Sequence, residues 1–126
     1  MTELSVPTKI RMDASLANFA DKYIFMTGGH YGGFHSETDV YEVSTNTWTK
    51  APPLNIARGD ASTCAFNNEM LYVYGGKADY EKFAEKIEKL DARRFISGDR
   101  DVAWELIEVQ TTEVLTRTFG FMAQVN

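Results

Sequence analysis

Residues 23–29 read YIFMTGG, and residues 70–76, 47 positions later, read MLYVYGG. At this shift the likeness runs upstream without a gap to Arg11 and Arg58, so that RMDASLANFADKYIFMTGG lies against RGDASTCAFNNEMLYVYGG. Arg, Asp, Ala, Ser, Phe and the Gly-Gly pair coincide, and most other positions keep their polarity. A chain that matches itself at one fixed spacing is a repeat protein, in which each unit buries its apolar face only against a neighbour. The spacing exceeds the roughly 20 to 35 residues of leucine-rich, ankyrin and tetratricopeptide units.

The order of elements within a repeat follows from composition and turn chemistry. Residues 14–19 and 22–27 are short β-prone runs joined by Ala20-Asp21, a tight polar connection suited to a hairpin. In the second repeat, 61–66 and 70–74 flank Asn67-Asn68-Glu69, and Asn tolerates the left-handed conformation that such turns need. YIFM and LYVY are continuously apolar, which predicts strands covered on both faces. The polar, Gly-rich stretch HYGGFHSET is read as a loop, 39–43 as a third strand and 44–47 as a turn. A fourth strand begins at Trp48 and stops at Pro52-Pro53, since proline removes a ladder donor.

The second repeat is less regular. Tyr80, Phe83, Ala84, Ile87 and Leu90 recur at helical spacing. Taken alone they would form a helix, but the 47-residue shift puts Ile87 opposite Val40 and Leu90 opposite Val43, which favours a third strand over 86–90. A fourth strand is expected at 104–109, WELIEV, where apolar and acidic residues alternate. Residues 92–103 are then a loop insertion on one rim, and 117–125 can be laid against 58–66 as the first strand of a third repeat.

Composition excludes several classes of function. With 44% apolar and 13% aromatic residues, the 126-residue chain can build a packed core. A net charge of −5 with no strongly one-signed segment argues against nucleic acid as a partner. One cysteine rules out an internal disulfide and fits a reducing, cytoplasmic compartment. The first residues lack the apolar region of a secretory signal, and no apolar run approaches the roughly 18 residues of a membrane span. A soluble protein without membrane contact is expected.

The Gly-Gly pair, followed by a Tyr and then a Trp with six residues between them, resembles the signature of the kelch-motif family of β-propellers. The first repeat carries Gly28-Gly29, Tyr41 and Trp48, with Arg11 at its start. The second carries Arg58, Gly75-Gly76 and Trp104, but has Glu88 or Leu90 where the Tyr should stand. The period is also near the roughly 50 residues of kelch blades. The resemblance implies an all-β fold of antiparallel four-stranded blades, with repeats at 11–57, 58–116 and, begun only, 117–126. Because closed propellers hold roughly 4 to 8 blades, the expectation is a partial propeller of about two blades plus one strand. By the same resemblance, the glycines allow close approach of a neighbouring backbone, Trp48 and Trp104 pack between blades, and Arg11 and Arg58 bond polar groups across a blade junction.

Chemistry-bearing residues are sparse. His30 and His35 flank a Gly-rich loop but supply two ligands where zinc takes three or four, so they are read as solvated loop side chains and no metal is expected. Cys64 aligns with Ala17, which marks a small buried position rather than a nucleophile, even though copper radical oxidases also use kelch-type propellers. Asp13 and Asp60 recur at matched positions, as a shared turn would require. No catalytic constellation and no cofactor motif is present, so no enzymatic activity is expected. Tyr31, Phe34 and His35, with Tyr80 and Phe83, follow the two Gly-Gly pairs and are candidate contacts for a protein partner, as is the 92–103 insertion. The expected function is a protein-interaction module binding through blade loops. The alternatives are a scaffold subunit that completes a propeller with other chains through its open blade edges, and a piece of a propeller enzyme such as a galactose-oxidase-like oxidase.

Overall fold

Short apolar runs punctuated by turn residues give two antiparallel four-stranded sheets. A computed structural model describes residues 11–79 and 81–107. The first sheet is a meander of β1 (Ser15–Phe19), β2 (Tyr23–Thr27), β3 (Thr38–Glu42) and β4 (Thr47–Ala51). The second runs through β5 (Ser62–Phe66) and β6 (Met70–Tyr74), leaves for a small hairpin of β7 (Lys77–Asp79) and β8 (Lys82–Phe83), and returns as β9 (Ile87–Asp91). A short helix α1 (Ala92–Ile96) then precedes β10 (Glu105–Ile107). The fold is all-β and blade-like, with the expected order of strands in each repeat.

Turn chemistry sets the hairpins. Ala20 and Asp21 have φ of 55° and 57°, and Asn67 and Asn68 have 55° and 53°. Two successive left-handed residues make the turn whose twist matches paired strands. Asn46 also has positive φ, and its side-chain oxygen accepts a bond from the Tyr41 hydroxyl at 2.7 Å. Asp13 and Asp60 share the same left-handed conformation, with φ of 55° and 59°, so their recurrence reflects a repeated backbone bend.

The core lies between the two sheets. Ala17, Phe19, Phe25 and Val40 of the first sheet meet Leu71, Val73, Leu90 and Trp104 of the second repeat. Phe19 and Phe25 pack edge to face with centroids 5.8 Å apart, and full burial of each ring is worth about 1.5–3 kcal/mol. At the innermost strands, the hydroxyls of Ser15 on β1 and Thr63 on β5 lie 2.5 Å apart. Trp104 donates its indole N–H to the Pro52 carbonyl at 2.8 Å, tying the second repeat to the segment that leaves β4.

Several expectations are corrected. The third strand favoured at 86–90 does form, at 87–91 and despite the helical spacing, with Leu90 entering the core while Ile87 covers the opposite face. However, Asp39 pairs with Met26, while Glu88 pairs with Val73. Glu88 therefore takes the place of Asp39, and Leu90 that of Tyr41, two residues later than the 47-residue shift predicts. The β7–β8 hairpin absorbs the difference. Residues 92–103 are no mere surface loop: Ala92, Phe95 and Val102 are buried in the central core. Asp91 caps α1 by accepting a bond from the Arg94 N–H at 3.0 Å, and the Arg100 guanidinium lies 4.4 Å over the Phe95 ring.

Trp104 fills the space between the sheets as expected, but Trp48 does not. It stands opposite Tyr41, 5.1 Å between centroids, on the face turned away from the second sheet. Strand alternation puts it there, since Tyr41 follows the inward-facing Val40. The expected third-repeat strand, 117–126, lies outside the described residues, as do residues 108 and 109 of the expected fourth strand.

Candidate partner-binding rim

The Gly-Gly pairs send two loops toward the same end of the stacked sheets. In the first loop, the Tyr31 N–H bonds the Gly33 carbonyl at 2.9 Å, and the His35 N–H bonds the Gly29 carbonyl at 2.9 Å. In the second, the Ala84 N–H bonds the Gly76 carbonyl at 2.9 Å, closing the β7–β8 hairpin. Residues 58–60 run between them. Gly29 N–H donates to the Arg58 carbonyl at 2.8 Å, Arg58 N–H donates to the His35 carbonyl at 3.1 Å, and Gly59 and Lys77 exchange two bonds of 2.9 and 2.7 Å. One short segment thus fixes both loops to a common rim.

Two aromatic side chains stand out from this rim: Tyr31 is 64% exposed and Phe83 is 71% exposed. Met12 joins them at 53%, its backbone bridged to His30. Sequence reasoning missed Met12, because nothing in the residues around it signals that its side chain points outward. Phe34 is less available than expected, since it folds back toward His30 with ring centroids 5.8 Å apart and also lies beside Gly59. Tyr80 lies outside the described residues.

The histidines are not simply solvated. His30 Nε2 lies 2.8 Å from Asp13 Oδ2, and His35 sits between the Tyr31 carbonyl at 3.0 Å and Glu37 at 3.3 Å. Each serves to hold the loop, and such partly exposed pairs are worth under about 1 kcal/mol. Among the described residues, no group of three His, Cys, Asp or Glu side chains is placed to hold a metal. No described helix is long and apolar enough to cross a membrane.

The repeated signature residues build the scaffold beneath the rim. Arg11 donates to the Gly28 carbonyl at 2.6 Å and to Asp39 at 2.9 Å, with both charged side chains buried. Arg58 does the same for the second repeat, reaching the Gly75 carbonyl at 3.2 Å and Glu88 at 2.9 Å. Among the described contacts, each arginine side chain bonds groups of its own repeat, where a bond across the blade junction was expected. The crossing is made by backbone: a side chain at Gly28 would place its Cβ 2.3 Å from the Arg58 carbonyl oxygen.

Cys64 is buried in β5 under Phe66 and Tyr72. Burial pushes its thiol above the ordinary cysteine range, the opposite of what a nucleophile needs. Its stabilising effect is complete below the unfolded-state pKa and is lost as pH rises through the higher folded-state value. Labelling by a disulfide reagent near neutral pH is expected to run at least about a hundredfold slower in the folded protein than in urea. Equal rates would show that Cys64 is open to solvent.

A comparison of the sequence with models of known protein families returned no match, and a comparison with curated proteins returned none either.

Proposed function

We propose that the chain is a kelch-repeat segment of a β-propeller that acts as a cytoplasmic protein-interaction module, with no catalysis of its own. The observation that carries this is the rim on which Met12, Tyr31 and Phe83 are exposed from loops held by one shared backbone segment. Rigidly mounted aromatic side chains supply contact area at low entropic cost, and such residues dominate protein interfaces. Support for the kelch reading comes from the paired glycines, the two buried arginines and the four-stranded antiparallel order of each repeat. The lone, buried cysteine fits a reducing compartment.

The test compares the wild-type chain with the double variant Tyr31→Ser/Phe83→Ser, with Lys50→Ser on β4 as a control. A partner recovered in saturable binding by the wild type should bind the double variant at least about tenfold more weakly, as loss of two contact anchors implies. The control should bind as the wild type does. Equal binding by the double variant would reject the rim as the contact surface.

A further inference from the structure

The inner strands of the two sheets, β1 and β5, meet at one end through the Ser15 and Thr63 hydroxyls, 2.5 Å apart. Between that contact and the hairpin turns lies an open groove of about 450 Å³, within the roughly 300–1,000 Å³ of small-molecule sites. β2 and β6 run from these turns back to the Gly-Gly pairs, so the groove opens at the end of the sheets opposite the rim.

Both hairpins bring polar side chains to the groove. Asn18 and Asp21 come from the first, Asn67 and Asn68 from the second, and all four are exposed. Positive φ explains why Asn stands at 67 and 68, but the turn uses their backbone alone, and neither side-chain amide has a bonding partner. In the first hairpin, the Asn18 amide donates to Asp21 Oδ1 at 3.2 Å, which leaves the Asn18 side-chain carbonyl and Asp21 Oδ2 for other donors. Leu16 and Ala65 add apolar lining, and no lining residue is basic or aromatic.

This lining selects among ligands. An anion such as a phosphate ester finds no cation there and faces the Asp21 carboxylate. A flat aromatic ligand finds no ring to stack on. A carboxamide holds a donor and an acceptor side by side, and a carboxylate accepts from two hydroxyls, so the set matches adjacent hydroxyl groups on a ring. We propose that the groove binds a neutral saccharide unit, with Asn18, Asp21, Asn67 and Asn68 bonding its hydroxyls and Leu16 and Ala65 covering its C–H edges. Exposed groups that exchange water for ligand hydroxyls gain little per bond, so the affinity is in the millimolar range. The groove shares no residue with the rim, and the inference is independent of the rim reading.

The test follows the side-chain amide signals by nuclear magnetic resonance during titration with the methyl glycosides of glucose, galactose, mannose and N-acetylglucosamine. At least one glycoside should shift the Asn18, Asn67 and Asn68 signals saturably. Asn67→Gly/Asn68→Gly keeps residues suited to positive φ and removes both amides, so it should bind that glycoside at least about tenfold more weakly. Asn18→Ser, placed in a strand, is a second variant free of turn effects and should also bind more weakly. Lys50→Ser on β4 should bind as the wild type does, and a retained cooperative unfolding transition checks each variant's fold. No saturable shift with any of the four glycosides, or unchanged binding by a folded Asn variant, would overturn the proposal. Inorganic phosphate and methylammonium should leave the signals unmoved; saturable binding of either would assign the groove to a charged ligand and overturn it as well.

Discussion

Glu88→Ala is expected to cost about 3–5 kcal/mol of unfolding free energy, a large share of the roughly 5–15 kcal/mol that holds a typical domain together. The carboxylate is fully buried and accepts four hydrogen bonds. Oε1 takes the backbone N–H of Asn55 at 2.6 Å and its side-chain amide at 3.0 Å, while Oε2 takes the Ile56 N–H at 3.0 Å and the Arg58 guanidinium at 2.9 Å. One side chain therefore pins the connection between the repeats to the second sheet and neutralises a buried cation. Burial pushes Arg58 below the usual arginine range while Glu88 pulls it back up. Without Glu88, the cation and two backbone donors lose their partner in a dry site. Glu88→Gln keeps one acceptor oxygen but turns an amide toward donors, so it should fall between the wild type and Glu88→Ala. Urea unfolding followed by tryptophan fluorescence measures all three. A loss under about 1 kcal/mol for Glu88→Ala would mean that water reaches the site.

Gly28→Ala should lose more than about 2 kcal/mol, and comparison with Gly75→Ala separates the causes. Both glycines have positive φ, 72° and 71°, where an L-residue costs about 1–2 kcal/mol. Only Gly28 is also approached from behind: its new Cβ would lie 2.3 Å from the Arg58 carbonyl oxygen, and no described atom lies within 4 Å of the Cβ at Gly75. That carbonyl cannot easily retreat, since it accepts the Gly29 N–H at 2.8 Å and belongs to the residue paired with Glu88. Gly75→Ala should therefore show the conformational cost alone. Thermal unfolding of the two variants gives the difference, and equal losses would show that the first sheet shifts to accept the methyl group.

The contrast between these two glycines shows where a sequence stops being informative. The repeat makes residues 28 and 75 look interchangeable, and their backbone conformations are indeed the same. What differs is the chain passing behind Gly28, which comes from a residue 30 positions away. The candidate rim divides in the same way. The loops after the Gly-Gly pairs were legible from their composition, and so were Tyr31 and Phe83. Met12 was not, and Phe34 was overrated, because exposure depends on how far each ring can fold onto a distant Gly59.

The sequence by itself determined the repeat, the antiparallel order of four strands in each unit, the hairpin connection at 20–21, the Asn-rich left-handed turn at 67–68, and the absence of a local disulfide. These rest on short-range physics: which residues tolerate positive φ, which break a ladder, and which alternate along a strand. Only the tertiary structure decided that the strand expected at 86–90 pairs two residues out of step, that α1 enters the core, that Trp48 faces away from the second sheet, and that Glu88 stitches the repeats together. Burial decided each of these, and burial is set by neighbours that the chain supplies from far along its length.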